Sequence, residues 1–168
     1  AASTASSLCD MSAVKAATSF SKPSTGNYYP VPVDFDGIPA QSKLPLLQQV
    51  NEKCFSLSPE IVKVNAGFQS SIKRILIVTS DGVRAEDIIP GGYLYSSVVA
   101  ERNGRREQSF WNLGGRRDFS FYNTDVINEV ASRSVNNAVK LFDAIQPPAG
   151  EMPVVFGPGI TGILLHEA

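Results

Sequence analysis

Between Glu60 and Trp111 apolar and polar residues alternate, and no other feature restricts more tightly what this chain can build. A period of two belongs to a strand with one buried face. Val62, Val64, Ala66 and Phe68 share one side, with Lys63, Asn65, Gly67 and Gln69 opposite. Ile72 to Thr79 reads as a second strand. Ser80-Asp81-Gly82 is a tight turn, and Val83 to Ile89 returns from it. Pro90-Gly91-Gly92 breaks that strand. Tyr93 to Glu101 runs out again, with Tyr93, Tyr95, Ser97 and Val99 on one face. Asn103-Gly104 is a strong hairpin signal, and it sends Arg105 to Trp111 back. The expected product is a meander of about five short antiparallel strands, the kind of sheet found in α+β folds.

Helical periodicity flanks the meander. Asp10 to Phe20 reads as a short helix with Met11, Val14, Ala17 and Thr18 on one side and Asp10 as its cap. Prolines and glycines then block regular structure from Lys22 to Ser42, and the apolar residues there favour a segment wrapped over the body. Ser42 is expected to open the next helix, with Pro45 in its first turn. Leu44, Leu47, Val50 and Cys54, with Leu46 beside them, form its buried stripe. Asn123 or Thr124 caps a longer helix running to about Ile145. Val126, Ile127, Val130, Ala131, Ser134, Val135, Ala138, Val139, Leu141 and Phe142 cover its inner side. The expected fold class is α+β, an antiparallel meander sheet packed with helices.

A net charge of -1 makes no general case for a nucleic acid partner. Arg102 to Arg106 and Arg116-Arg117 are short clusters, better read as solvated strand ends than as phosphate sites. Gly114-Gly115 before the second cluster reads as a bulge or corner in preference to an anion-binding nest. No apolar run is long enough to span a bilayer. Residues 1–7 have neither the basic region nor the apolar core of a signal peptide. Cys9 and Cys54 are the only cysteines, too few and too far apart for a secreted disulfide framework. The expected setting is cytoplasmic, with neither nucleic acid nor membrane as partner. The chain has no starting Met and no lead-in strand, so both ends read as cuts.

Pro147-Pro148-Ala149-Gly150 is the clearest linker. It divides residues 1–149, a scaffold truncated at its start, from residues 150–168, the opening of a second domain cut off after half a motif. After the linker comes an apolar run, Met152 to Phe156, read as a strand. Then follow the turn Gly157-Pro158-Gly159 and a helix start ending in His166-Glu167. A helix that presents an imidazole beside a carboxylate suits metal-dependent hydrolysis. His166 is the candidate ligand. Glu167, about 100° further round the helix, is the candidate general base. A metallopeptidase helix needs a second His about one turn later, and His166 is the only histidine.

Pro148-Ala-Gly-Glu-Met-Pro-Val-Val-Phe-Gly-Pro-Gly159 followed by Gly162-Ile-Leu-Leu-His-Glu-Ala168 resembles the TldD/PmbA metallopeptidases, also called the modulator of DNA gyrase family. Ser80-Asp-Gly82, Asn103-Gly-Arg-Arg-Glu107 and Gly114-Gly-Arg-Arg117 agree with it. The resemblance implies a zinc peptidase acting on small or unfolded peptides, working as a homodimer or as a heterodimer with another family member. It implies His166 as the first zinc ligand and Glu167 as the catalytic glutamate. The family's second His and its Cys ligand have no counterpart, so this chain alone is expected to be inactive and to bind no zinc. Ile160-Thr161 departs from the family's bulkier Trp-Pro-like pair. The alternative reading is a non-catalytic interaction or dimerisation module that gates substrate access.

Overall fold

The computed structural model describes residues 19–23, 35, 37–159 and 161–167. Most of the expected helix over Asp10–Phe20 and most of the proline-rich segment lie outside the described residues; Ser19 and Phe20, which are described, are not helical. Among the described residues, the regular elements are α1 (Ala40–Leu57), β1 (Ile61–Val78), β2 (Arg84–Arg102), β3 (Arg105–Gly115), a 3-10 turn (Phe119–Phe121), α2 (Thr124–Leu141) and α3 (Thr161–Glu167). The fold is α+β: one open antiparallel sheet in the order β1-β2-β3, with α1 and α2 packed on it and on each other.

The sheet has three long strands where five short ones were expected. The Glu60–Ser71 and Ile72–Thr79 segments are one strand, and Pro90-Gly91-Gly92 does not break β2. The reason lies in the pairing. Ser70, Ser71 and Ile72 face Gly92, Gly91 and Pro90 across the ladder. The N–H of Arg84 points away from β1, since it donates to Ser21 O at 3.0 Å. Backbone direction alternates along a strand, so the nitrogen of Pro90 also points away from β1. No ladder bond is lost there, because β3 ends where Gly115 meets Gly92.

A one-residue irregularity between Ile61 and Lys63 resets the alternation. It lets Ile61 be buried while Val64, Ala66 and Phe68 also face the core, and it leaves Val62 exposed. On β2 the inner residues are Leu94, Ser96, Val98 and Ala100, all fully buried. Trp111 and Leu113 of β3 pack against the same core. Asn103 and Gly104 both take positive φ, 53° and 81°, as a two-residue hairpin turn requires.

Asn123 caps α2, its side chain accepting from the N–H groups of Asp125 and Val126. Val126, Ile127, Val130, Ala131, Val135 and Ala138 are buried against the sheet and α1. The helix ends at Leu141, short of the expected Ile145, and Leu141 there is 38% exposed. In α1 the buried stripe is Leu46, Val50 and Cys54. Leu44 is turned outward, because it sits about 200° round the helix from Leu46. The helix starts at Ala40, two residues before Ser42, which places Pro45 inside it and beyond the first turn.

Candidate functional site

His166 and Glu167 are the last residues of α3, a helix of seven residues. The turn ahead of it is made by glycine and proline. Gly159 takes φ 133°, which side-chain-bearing residues avoid. Its carbonyl accepts from Gly162 N at 3.2 Å, and the Thr161 hydroxyl donates to the Gly157 carbonyl. His166 and Glu167 are both exposed, as are Ile163, Leu164 and Leu165. Neighbouring positions on a helix diverge by about 100°, so the imidazole and the carboxylate occupy separate directions and can do separate work.

The approach to this helix differs from the expected strand. Met152 to Phe156 takes no regular secondary structure, and no described residue forms a ladder with it. Val155 is 96% exposed. A strand needs a neighbour for its N–H and C=O groups, and periodicity alone cannot say whether one is present.

The other soft donor among the described residues is Cys54, and the fold withdraws it. Its thiol is fully buried beneath Ser96 and Ser134, and burial pushes its pKa up against the opposing pull of those hydroxyls. Ser96 and Ser134 lie 2.6 Å apart, so one hydroxyl donates to the other, and the Val130 and Ala131 carbonyls of α2 are within reach of the remaining proton. No group of three or more His, Cys, Asp or Glu among the described residues is placed to hold a metal. A catalytic zinc takes three protein ligands. The described residues offer one imidazole suited to that role and do not by themselves make the site. The sequence could not show that Ser96, on a strand, would meet Ser134, on a helix, above Cys54.

The arginine clusters serve the scaffold. Arg102 donates to both carboxylate oxygens of Glu60 and to Asp143, and lies 4.6 Å from the Phe142 ring centre. Its hydrogen bond holds the Glu60 carboxyl below its ordinary range. Arg105 donates to the carbonyls of Leu141 and Phe142, at the C-terminus of α2, where a cation is favoured. Arg106 pairs with Glu101. Arg116 donates to Ile88 O, and Arg117 lies over the Phe121 ring. Gly114-Gly115 is not a bulge, because the β2–β3 register runs through it without a shift. A Cβ at Gly114 would fall 2.0 Å from Gly92 O, so close backbone approach explains that glycine.

Comparison with known proteins places this architecture. Residues 33–142 match the family model of the PmbA/TldA metallopeptidase central domain. Over 138 residues the chain is 34% identical to a metalloprotease TldD homolog of Haemophilus influenzae, covering 79% of this chain and 29% of that protein. It is 32% identical over 140 residues to the metalloprotease TldD homolog of Buchnera aphidicola from Acyrthosiphon pisum, with the same coverage of 79% and 29%. A Thermotoga maritima structure described as a modulator of a DNA gyrase shares the fold, with a TM-score of 0.62 at 18% identity. That match covers 79% of this chain and 29% of the solved one. The chain thus spans less than a third of the length of these relatives. On the family match over its sheet and both long helices, this chain belongs to the PmbA/TldD metallopeptidase family.

Proposed function

We propose that this chain is the N-terminal scaffold and the first half of the metal motif of a zinc-dependent peptidase that hydrolyses small or unfolded peptides. The observation that carries the reading is the exposed His166-Glu167 pair on a glycine-initiated helix, in a chain whose relatives are named metalloproteases. His166 supplies one zinc ligand, and the remaining ligands come from beyond these residues. The domain boundary falls at residues 149/150. In support, the family match ends at residue 142, and residues 143–159 are exposed.

Zinc, when bound, supplies Lewis acidity that brings the pKa of water to about 7. Glu167 then works as general base, taking a proton from the water that attacks the peptide carbonyl. Its place one residue past His166 directs its carboxylate away from the imidazole, which leaves it unligated and able to hold that proton. The intact protein works in the cytoplasm as a homodimer or as a heterodimer with another family member. A second reading, an interaction module that gates substrate access, draws support from the apolar surface exposed between Leu76 and Ile89.

The test is metal analysis and peptide cleavage on this chain and on the longer protein side by side. The longer protein should hold zinc stoichiometrically and cleave an unstructured peptide. This chain should do neither, since one imidazole cannot replace three ligands. Tight zinc on the 168-residue chain would contradict the assignment of the remaining ligands.

A further inference from the structure

Beyond the end of β3, strands β1 and β2 continue as a two-stranded arm of seven residue pairs, from Ile72↔Pro90 to Val78↔Arg84. At about 3.3 Å per residue it reaches roughly 20 Å past the three-stranded sheet. Leu76, Val78 and Ile88 line one face and Ile77 and Ile89 the other, all of them exposed, from 38% at Ile89 to 59% at Leu76. Apolar residues on both faces mark a strand that is covered on both sides. A two-stranded ribbon left alone in water is marginally stable at best.

The two edges of this arm are treated differently. The β2 edge is closed to further pairing. Ser21 bridges Gly82 and Arg84, the Asp87 carboxylate accepts from Ile88 N, Arg116 donates to Ile88 O, and Pro90 has no N–H. These are the devices by which proteins blunt an edge strand. Among the described residues the β1 edge has no bridging residue, no side chain capping its N–H groups and no proline, and only the charges of Lys73 and Arg74 stand along it. Thr79 N donates to Val83 O at 3.0 Å, so Thr79 faces β2. Alternation turns the N–H and C=O of Val78, Leu76, Arg74, Ile72 and Ser70 outward. No described residue pairs with them.

We propose that the open edge of β1 between Ser70 and Val78 is completed by an extended strand from another part of the longer polypeptide, which continues the sheet past three strands. The inference rests on the reading that the chain is a portion of a longer peptidase. Two observations select this occupant. The matching family model describes a central domain, and the relatives carry more than two thirds of their length outside the matched region. A second copy is disfavoured by charge. β1 carries Lys63, Lys73 and Arg74 and no acidic residue. Antiparallel pairing of two arms through this edge would bring two Lys73-Arg74 pairs together with no carboxylate between them.

Amide hydrogen exchange tests this without reference to catalysis, so its outcome is independent of whether the longer protein cleaves peptides. In the 168-residue chain the amides of Ser70, Ile72, Arg74, Leu76 and Val78 should exchange fast while their inward neighbours are protected. In the longer protein the same five should slow by at least about 100-fold. Leu76→Pro removes one outward N–H and spares the β1–β2 ladder. It should therefore lower the melting temperature of the longer protein more than that of this chain. Fast exchange of the five amides in the longer protein would overturn the proposal. So would equal effects of Leu76→Pro in the two proteins. Protection in this chain that grows with its concentration would assign the edge to a second copy instead.

Discussion

Replacing Leu94 by alanine tests both the register of the sheet and the continuity of β2. Leu94 is fully buried at the centre of the inner face, between Phe68 of β1 and Leu113 of β3. A fully buried Leu→Ala change costs about 2–5 kcal/mol, from lost transfer energy and the cavity left behind. With three strands and a helix fixed around it, this site can collapse little, so about 3–4 kcal/mol is expected. At about 2–4 °C per kcal/mol for a chain of this size, that is a drop of roughly 6–16 °C. Tyr93 is the control. It sits one residue away on the opposite face and is 45% exposed, so Tyr93→Ala should cost only about 1 kcal/mol. Thermal and urea denaturation of both variants decide the matter. A one-residue slip would exchange the faces of Tyr93 and Leu94, so a larger loss for Tyr93→Ala would refute the register and the core built on it.

The acid limb of stability should depend on Arg102. Its hydrogen bond lowers the pKa of Glu60, so the pair's stabilisation is present above the ordinary glutamate range of about 4.3. It is lost as pH falls through the depressed value, and Arg102→Ala should flatten that part of a melting temperature–pH curve. Gly104→Val forces a β-branched residue to φ 81° and should cost about 1–2 kcal/mol in urea denaturation; an unchanged midpoint would argue against the two-residue turn. Burial, with a smaller contribution from Tyr93, pushes the Tyr122 phenol up to about 12, and its buried hydroxyl has no hydrogen-bond partner among the described residues. Tyr122→Phe should then leave stability unchanged or raise it by about 1 kcal/mol, while ultraviolet titration loses a phenol that titrates at about 12.

The two long helices were legible because 3.6-residue periodicity sets which side is buried, and Val126 to Ala138 follow it closely. The antiparallel sheet was legible from its alternation and from Asn103-Gly104. Strand number was not. Pro90 and Gly91-Gly92 are breakers in isolation, and only the pairing partner shows that the nitrogen of Pro90 points where no bond is needed. Leu44 was misplaced for a related reason: a cluster of leucines permits more than one stripe, and the sheet selects the one through Leu46, Val50 and Cys54. The Met152–Phe156 run shows the limit from the other side, since apolar residues suited to a strand form none without a neighbour. For the candidate site, residue types were readable at His166 and Glu167, but whether donors converge is a property of three-dimensional placement. The burial of Cys54 under two serines settles that point for the described residues.

The assignment of His166 and Glu167 is tested most directly by pairing zinc content with peptide cleavage for Glu167→Gln and His166→Ala in the longer protein. Glu167→Gln keeps the size of the side chain and removes the base. It should retain nearly full zinc while turnover falls by ~10²–10⁴-fold, the usual contribution of a positioned acid–base group. His166→Ala should lose zinc and activity together. Near-normal turnover by Glu167→Gln, or full zinc retention by His166→Ala, would contradict the account and leave the interaction-module reading in its place.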